Sequence, residues 1–258
     1  MIKQFLIIFA LILGLSTGAV NAQQDTSPKK PLSVAVAASF SPVAEKLGKE
    51  FTAVTGIPVN FTTGSSQELL QQIKKGAQFD VYMSANTNYP LDLQKTGFTE
   101  GSPYLYALGT LALYAKGKEI SHNGLDLLQP GGFTKLVIAD PKNAPYGVAA
   151  VETLKKLEIY EQVKGQLVYA DNALKAYEMV DSGQVEAGLI SYGDLKEGQT
   201  SQAWIVPGRM HNPIKQAQVA LKGSGPNAEN WIKFMETDTA KNILIFSGYG
   251  VTNIEEVK

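Results

Sequence analysis

From Leu32 onward, short β-rich runs alternate with amphipathic helical patterns, which restricts the chain to an α/β architecture with largely parallel sheets. Leu32 to Ala37 reads as a first strand and Pro42 to Val54 as a first helix, with Pro42 suited to its first turn, Ser41 available as its cap and Gly56 as its stop. Val59 to Thr62 is a second strand. Ser65 and Glu68 have capping-box spacing before a helix over 68–75, and Val81 to Ser84 is a third strand. A second series follows the β-rich stretch 106–114, with strands at 136–139, 167–169 and 187–190 separated by helices at 148–157 and 173–181. A strand at 216–221 and one or two helices within 227–246 close the pattern. If this tail returns to the first set of strands, the chain crosses twice between two lobes and leaves a cleft between them.

The first residues read as an export signal. Lys3 precedes an apolar run from Phe5 to Leu15, and Val20-Asn21-Ala22 offers the small residues that a signal peptidase recognises. The run is shorter than the roughly 20 residues of a membrane span, so residues 1–22 are expected to be removed and 23–31 to form a disordered lead-in. The chain has no cysteine, hence no disulfide, no thiolate chemistry and no acceptor for a lipid anchor. A freely soluble protein of the periplasm is the expectation. Lysines and arginines number 23 against 24 aspartates and glutamates, and the lysines are scattered along helix faces, so no footprint for nucleic acid is present.

Catalytic constellations are missing. His122 and His211 stand at no metal-ligand spacing, and no G-x-x-x-x-G-K string occurs. No serine occupies a strand-to-helix nucleophile elbow of the G-x-S-x-G kind, the one such string (residues 14–18) lying in the export signal. Asp80, Asp140 and Asp171 sit at strand ends, where turns and caps use them. No enzyme, no cofactor and no free metal cation is therefore expected. What remains is a pair of serine-bearing turns, Ala37-Ala38-Ser39 and Gly64-Ser65-Ser66, each just past a strand and just before a helix. A hydroxyl beside the free N–H groups of a helix start receives a small anion; an ordinary cap or turn uses the same residues.

The strings Val36-Ala37-Ala38-Ser39-Phe40, Gly64-Ser65-Ser66, Gly76-Ala77, Asp80 and Met83-Ser84-Ala85 resemble the first lobe of periplasmic molybdate-binding proteins. Ala139-Asp140-Pro141, Ala144-Pro145-Tyr146-Gly147, Ala170-Asp171-Asn172-Ala173 and Ala187-Gly188-Leu189-Ile190 continue the resemblance in the same order. It implies a type II periplasmic binding protein fold, with lobe I over 32–110 and a return segment 215–258, and lobe II over 111–214. The two lobes would close, in a monomer, on molybdate or tungstate for delivery to an ABC transporter permease at the inner membrane. By position, Ser39 and Ser66 would give hydroxyl and backbone donors, and Tyr146 and Ala173 backbone N–H groups. At one position the chain departs from the family, which often has a tyrosine after the strand ending here at Ile190; Ser191 stands there and Tyr192 one residue later. Successive strand residues face opposite sides, so either Ser191 or, through a bulge, Tyr192 reaches the ligand. A different tetrahedral oxyanion such as sulfate, or an enzyme on the same fold, are the alternatives. Arg209 is the only arginine, which argues against carboxylate ligands clamped by guanidinium groups.

Overall fold

The structure, a computed structural model, describes residues 29–251, so the export signal and residues 23–28 of the lead-in lie outside the described residues. The alternation folds into two five-stranded sheets. The first part of the chain runs β1 (Leu32–Ala37), α1 (Ser41–Thr55), β2 (Val59–Gly64), α2 (Ser66–Lys74), β3 (Val81–Ser84), α3 (Asn88–Lys95) and β4 (Thr99–Gly109). It then crosses at Thr110 into β5 (Leu111–Tyr114), α4 (Gly124–Leu128), β6 (Leu136–Ala139), α5 (Pro145–Lys156), α6 (Tyr160–Val163), β7 (Leu167–Ala170), α7 (Ala173–Asp181), β8 (Ala187–Ser191) and β9 (Ala203–Ile205). The return comprises β10 (Ile214–Leu221), α8 (Pro226–Met235) and α9 (Asp238–Phe246).

The two sheets share one plan. Their strand orders are β2-β1-β3-β10-β4 and β7-β6-β8-β5-β9. In each, three parallel strands are joined by one strand that arrives from the other lobe and runs antiparallel: β10 beside β3, and β5 beside β8. Central strands β3, β5, β6 and β8 are buried along their whole length, as sheets covered by helices on both faces require, whereas edge strand β2 is only half-buried. Trp231, fully buried with Phe51, Phe61 and Phe234 against it, anchors the return helices on the first sheet.

Three helix starts differ from the sequence reading and bear on function. Helix α2 begins at Ser66 rather than Glu68, with Ser65 as its cap. Ser41 does not cap α1; a 3₁₀ turn over Ala38–Phe40 runs directly into the helix, and the Ser41 hydroxyl pairs with that of Thr63 at 3.2 Å. Helix α5 begins at Pro145 rather than Val148, because proline lacks an N–H and fits a first turn without loss. Tyr146 thereby enters a helix N-terminus.

Candidate anion-binding site

The carboxyl ends of the parallel strands in the two sheets face each other, the place where open α/β sheets bind ligands. Ala37 and Ala85, at the ends of β1 and β3, belong to one buried cluster with Ala139, Ala144, Tyr146 and Ala173 from the second sheet. Four first turns meet at this junction. Ser39 lies in the 3₁₀ turn, Ser66 opens α2, Tyr146 is the second residue of α5 and Ala173 opens α7. All four residues are buried.

The capping arrangements leave the amides nearest the junction free. In α2 the Ser65 hydroxyl accepts from the Glu68 N–H at 3.2 Å and the Glu68 carboxylate accepts from the Ser65 N–H at 3.0 Å, the capping box expected from the sequence. In α7 the Asn172 side chain accepts from Lys175 N–H at 2.9 Å. These caps serve the third helical residue, so the Ser66 and Ala173 N–H groups have no intrahelical acceptor. Helix α5 has no side-chain cap and Pro145 has no N–H, which leaves that of Tyr146.

The hydroxyls divide by role. Ser66 Oγ accepts from the Ala85 N–H at 3.0 Å, so its own proton remains for another acceptor, and its carbonyl is held by the Tyr82 hydroxyl at 2.6 Å. The Ser39 hydroxyl has no partner among the described residues. Ser191, fully buried, donates to the Ser39 carbonyl at 3.4 Å and lies 3.3 Å from the Tyr249 hydroxyl. Tyr192 is not brought to this group: its ring lies against Gly248, where an added Cβ would come within 2.2 Å of it. The Tyr146 side chain points away along the junction, its hydroxyl accepting from Gln216 at 3.3 Å while Gln216 accepts from Tyr106 at 2.9 Å. Burial pushes the Tyr146, Tyr106 and Tyr249 phenols well above their ordinary range, so all remain neutral donors. A further cavity of about 240 Å³ opens beside the junction, lined by Ala85, Asn86, Tyr89, Pro141 and Pro145 among others.

Tyr249, Gln216, Ala85 and Asp194 were missed in the sequence. Gln216 and Gln218 carried a signal, since two amides two apart in the apolar run 214–221 share one face of a strand; both are fully buried in the fold. Tyr249 stands between two glycines, a pattern of close approach that says nothing about what is approached.

Asp194 is 4% exposed and neither carboxylate oxygen has a hydrogen-bond partner among the described residues. Burial, and then nearby Glu178, hold its acid well above the ordinary value of 3.8, so folding favours its neutral form. The unfolded chain releases that proton as pH rises past the ordinary value. The stabilising contribution is therefore full below that pH and is lost as pH rises toward the raised value. Asp194→Asn is expected to remove this slope and to raise the melting temperature at pH 7 by several degrees. Thermal unfolding of both proteins at pH 4 and pH 7 checks it, and equal slopes would contradict it.

Two α/β lobes joined by crossing segments, with helix starts from both lobes presenting first-turn N–H groups at their junction, define a solute-binding protein. Comparisons with known proteins agree. Residues 32–250 match the family described as bacterial extracellular solute-binding protein. The molybdate-binding protein ModA of Rhodobacter capsulatus is 33% identical over 244 residues, 93% of each chain. Its namesake in Azotobacter vinelandii is 33% identical over 252 residues, 95% of this chain and 97% of that one. The solved structure of the Azotobacter vinelandii periplasmic molybdate-binding protein matches with a TM-score of 0.82 at 28% identity, over 86% of this chain and 99% of the other. The chain belongs to the ModA family of bacterial extracellular solute-binding proteins.

Proposed function

We propose that the protein captures molybdate, and tungstate as a second ligand, in the periplasm and presents it to an ABC transporter. The observation that carries this reading is the gathering of the Ser39, Ser66, Tyr146 and Ala173 first turns at one buried junction, with the Ser39 hydroxyl unpartnered among the described residues and the Ser66 proton not used in its bond to Ala85. A tetrahedral dianion leaving water needs many preorganised donors. Charge-assisted hydrogen bonds contribute roughly 1.5–3 kcal/mol each, so a ring of them offsets its desolvation without a counter-cation. The positive ends of α2, α5 and α7 add favourable potential.

Each lobe supplies part of the ring, so the closed form binds better than the open one and the ligand shifts the population toward closure. A transporter that recognises the closed shape then receives only loaded protein. Selectivity follows from donors without acceptors. A protonated oxyanion would bring an O–H that finds no partner, which disfavours phosphate near neutral pH; sulfate, fully ionised, is rejected only by size. The same argument favours a carrier over a catalyst, because none of the gathered groups is an acid or base poised for proton transfer.

Calorimetric titration of the purified protein with molybdate, tungstate, sulfate and phosphate tests the reading. Tight binding of the first two, with neither of the others bound, is expected. Heat from sulfate or phosphate alone would assign the site to a different oxyanion.

A further inference from the structure

The segment Gly248-Tyr249-Gly250 lies outside every strand and helix that positions the four first turns, yet it reaches their centre. It is fastened to the point where the chain crosses between lobes. Leu108 and Gly250 exchange backbone hydrogen bonds at 2.8 and 2.9 Å, and the Thr110 hydroxyl donates to the Gly248 carbonyl at 2.7 Å. From this anchorage Tyr249 extends between the lobes. Its ring meets Phe40 edge to face, with centroids 5.2 Å apart, and its hydroxyl donates to the Ser39 carbonyl at 2.6 Å.

Across the junction the contact is an interlock of rings and glycines. Gly193, just past β8, forms the notch for Tyr249; a Cβ there would stand 2.4 Å from the ring and 2.8 Å from the hydroxyl. Tyr192 in turn covers Gly248. The Ser191 hydroxyl completes a triangle with the Tyr249 hydroxyl and the Ser39 carbonyl, so three segments far apart in sequence share one hydrogen-bonded corner.

We propose that Tyr249 is a positioning residue for anion recognition, whose hydroxyl fixes the Ser39 turn when the second lobe seats Ser191 and Gly193 against it. A carbonyl free to swing toward a dianion would repel it. Tyr249 and Ser191 hold the Ser39 carbonyl on hydroxyl donors instead, which keeps its lone pairs off the ligand and leaves the turn's N–H groups and the Ser39 hydroxyl to bind. Ser191 belongs to the second lobe and Tyr249 to the first, so the corner ties the two lobes together beside the crossing at Thr110, whose carbonyl accepts from the Tyr192 N–H at 2.9 Å. The placement of the second lobe and the orientation of the Ser39 donors are thereby coupled.

This inference rests on the oxyanion reading above, and one set of measurements separates the two. Tyr249→Phe keeps the ring in its notch and deletes only the hydroxyl. Molybdate affinity is expected to fall about tenfold, the equivalent of about 1.4 kcal/mol, mainly through faster dissociation, while the melting temperature of the ligand-free protein stays within about 2 °C, as for the loss of well under 1 kcal/mol in a domain of this size. In the Tyr249→Phe background, Ser191→Ala is expected to cost less affinity than it does alone, since the corner is already broken. A merely structural role would lower the ligand-free melting temperature along with the affinity and leave the two substitutions additive, which would overturn the inference. Unchanged affinity and dissociation rate in Tyr249→Phe, with normal binding by the wild type, would overturn it alone. A wild type that binds no oxyanion overturns both readings.

Discussion

Ser66→Ala is expected to weaken molybdate binding by about 10- to 100-fold, the worth of one charge-assisted hydrogen bond, and also to destabilise the ligand-free protein by about 1–3 kcal/mol. The two effects have separate origins. The Ser66 hydroxyl donates outward and accepts from the Ala85 N–H at 3.0 Å, in a place where the serine is 2% exposed. Alanine removes the donor to the anion and strands a buried amide. Ser39→Ala is expected to cost similar affinity with almost no stability, because the Ser39 hydroxyl has no partner within the described chain. From sequence alone the two serines look equivalent, and both substitutions would be expected to spare the fold; the Ala85 amide is what separates them. Calorimetry with molybdate beside thermal unfolding of both variants tests the contrast. Equal melting temperatures for the two would show that the Ser66–Ala85 hydrogen bond is worth nothing, and unchanged affinity in both would place the anion elsewhere.

What could be read in advance was whatever is local. Periodicity set the limits of β1, β3, β6 and α7, because each is bounded by its own turn and capping residues; Asn172 and the Ser65–Glu68 box act within four residues of themselves. The start of α5 was not legible, since a proline before an apolar run can end a loop or open a helix, and only packing on β6 decides. Ser191 and Tyr192 show the limit more sharply. Their alternation on β8 was plain, but which of them faces the junction depends on Gly248 taking one ring and Tyr249 meeting the other hydroxyl. Tyr249 itself bonds to a carbonyl 210 residues away, and no pattern in a single sequence carries that distance. The serine turns were thus visible as half of a receptor, while the corner that closes it was not.

Gly147→Ala is expected to be the most damaging single-methyl change near the site, for a reason of space rather than backbone conformation. A Cβ at this position would lie 2.1 Å from the Ala139 carbonyl oxygen and 2.8 Å from the Ala139 carbon and the Pro141 nitrogen. All three are backbone atoms at the carboxyl end of β6, so no side chain can rotate out of the way. The first turn of α5 must then lift off the strand, and the Tyr146 N–H moves with it. Overpacking of a tight site costs about 3 kcal/mol or somewhat more, which for a chain of this size lowers the melting temperature by about 6–12 °C. Displacement of a preorganised donor by even a fraction of an ångström adds a loss of molybdate affinity of at least about tenfold. Gly165→Ala is the matched control: nothing lies within 4 Å of its Cβ position, so it is expected to change neither property. If the Gly147 variant melts and binds like the Gly165 variant, helix α5 is not held by contact with β6, and the presentation of the Tyr146 amide must have another cause.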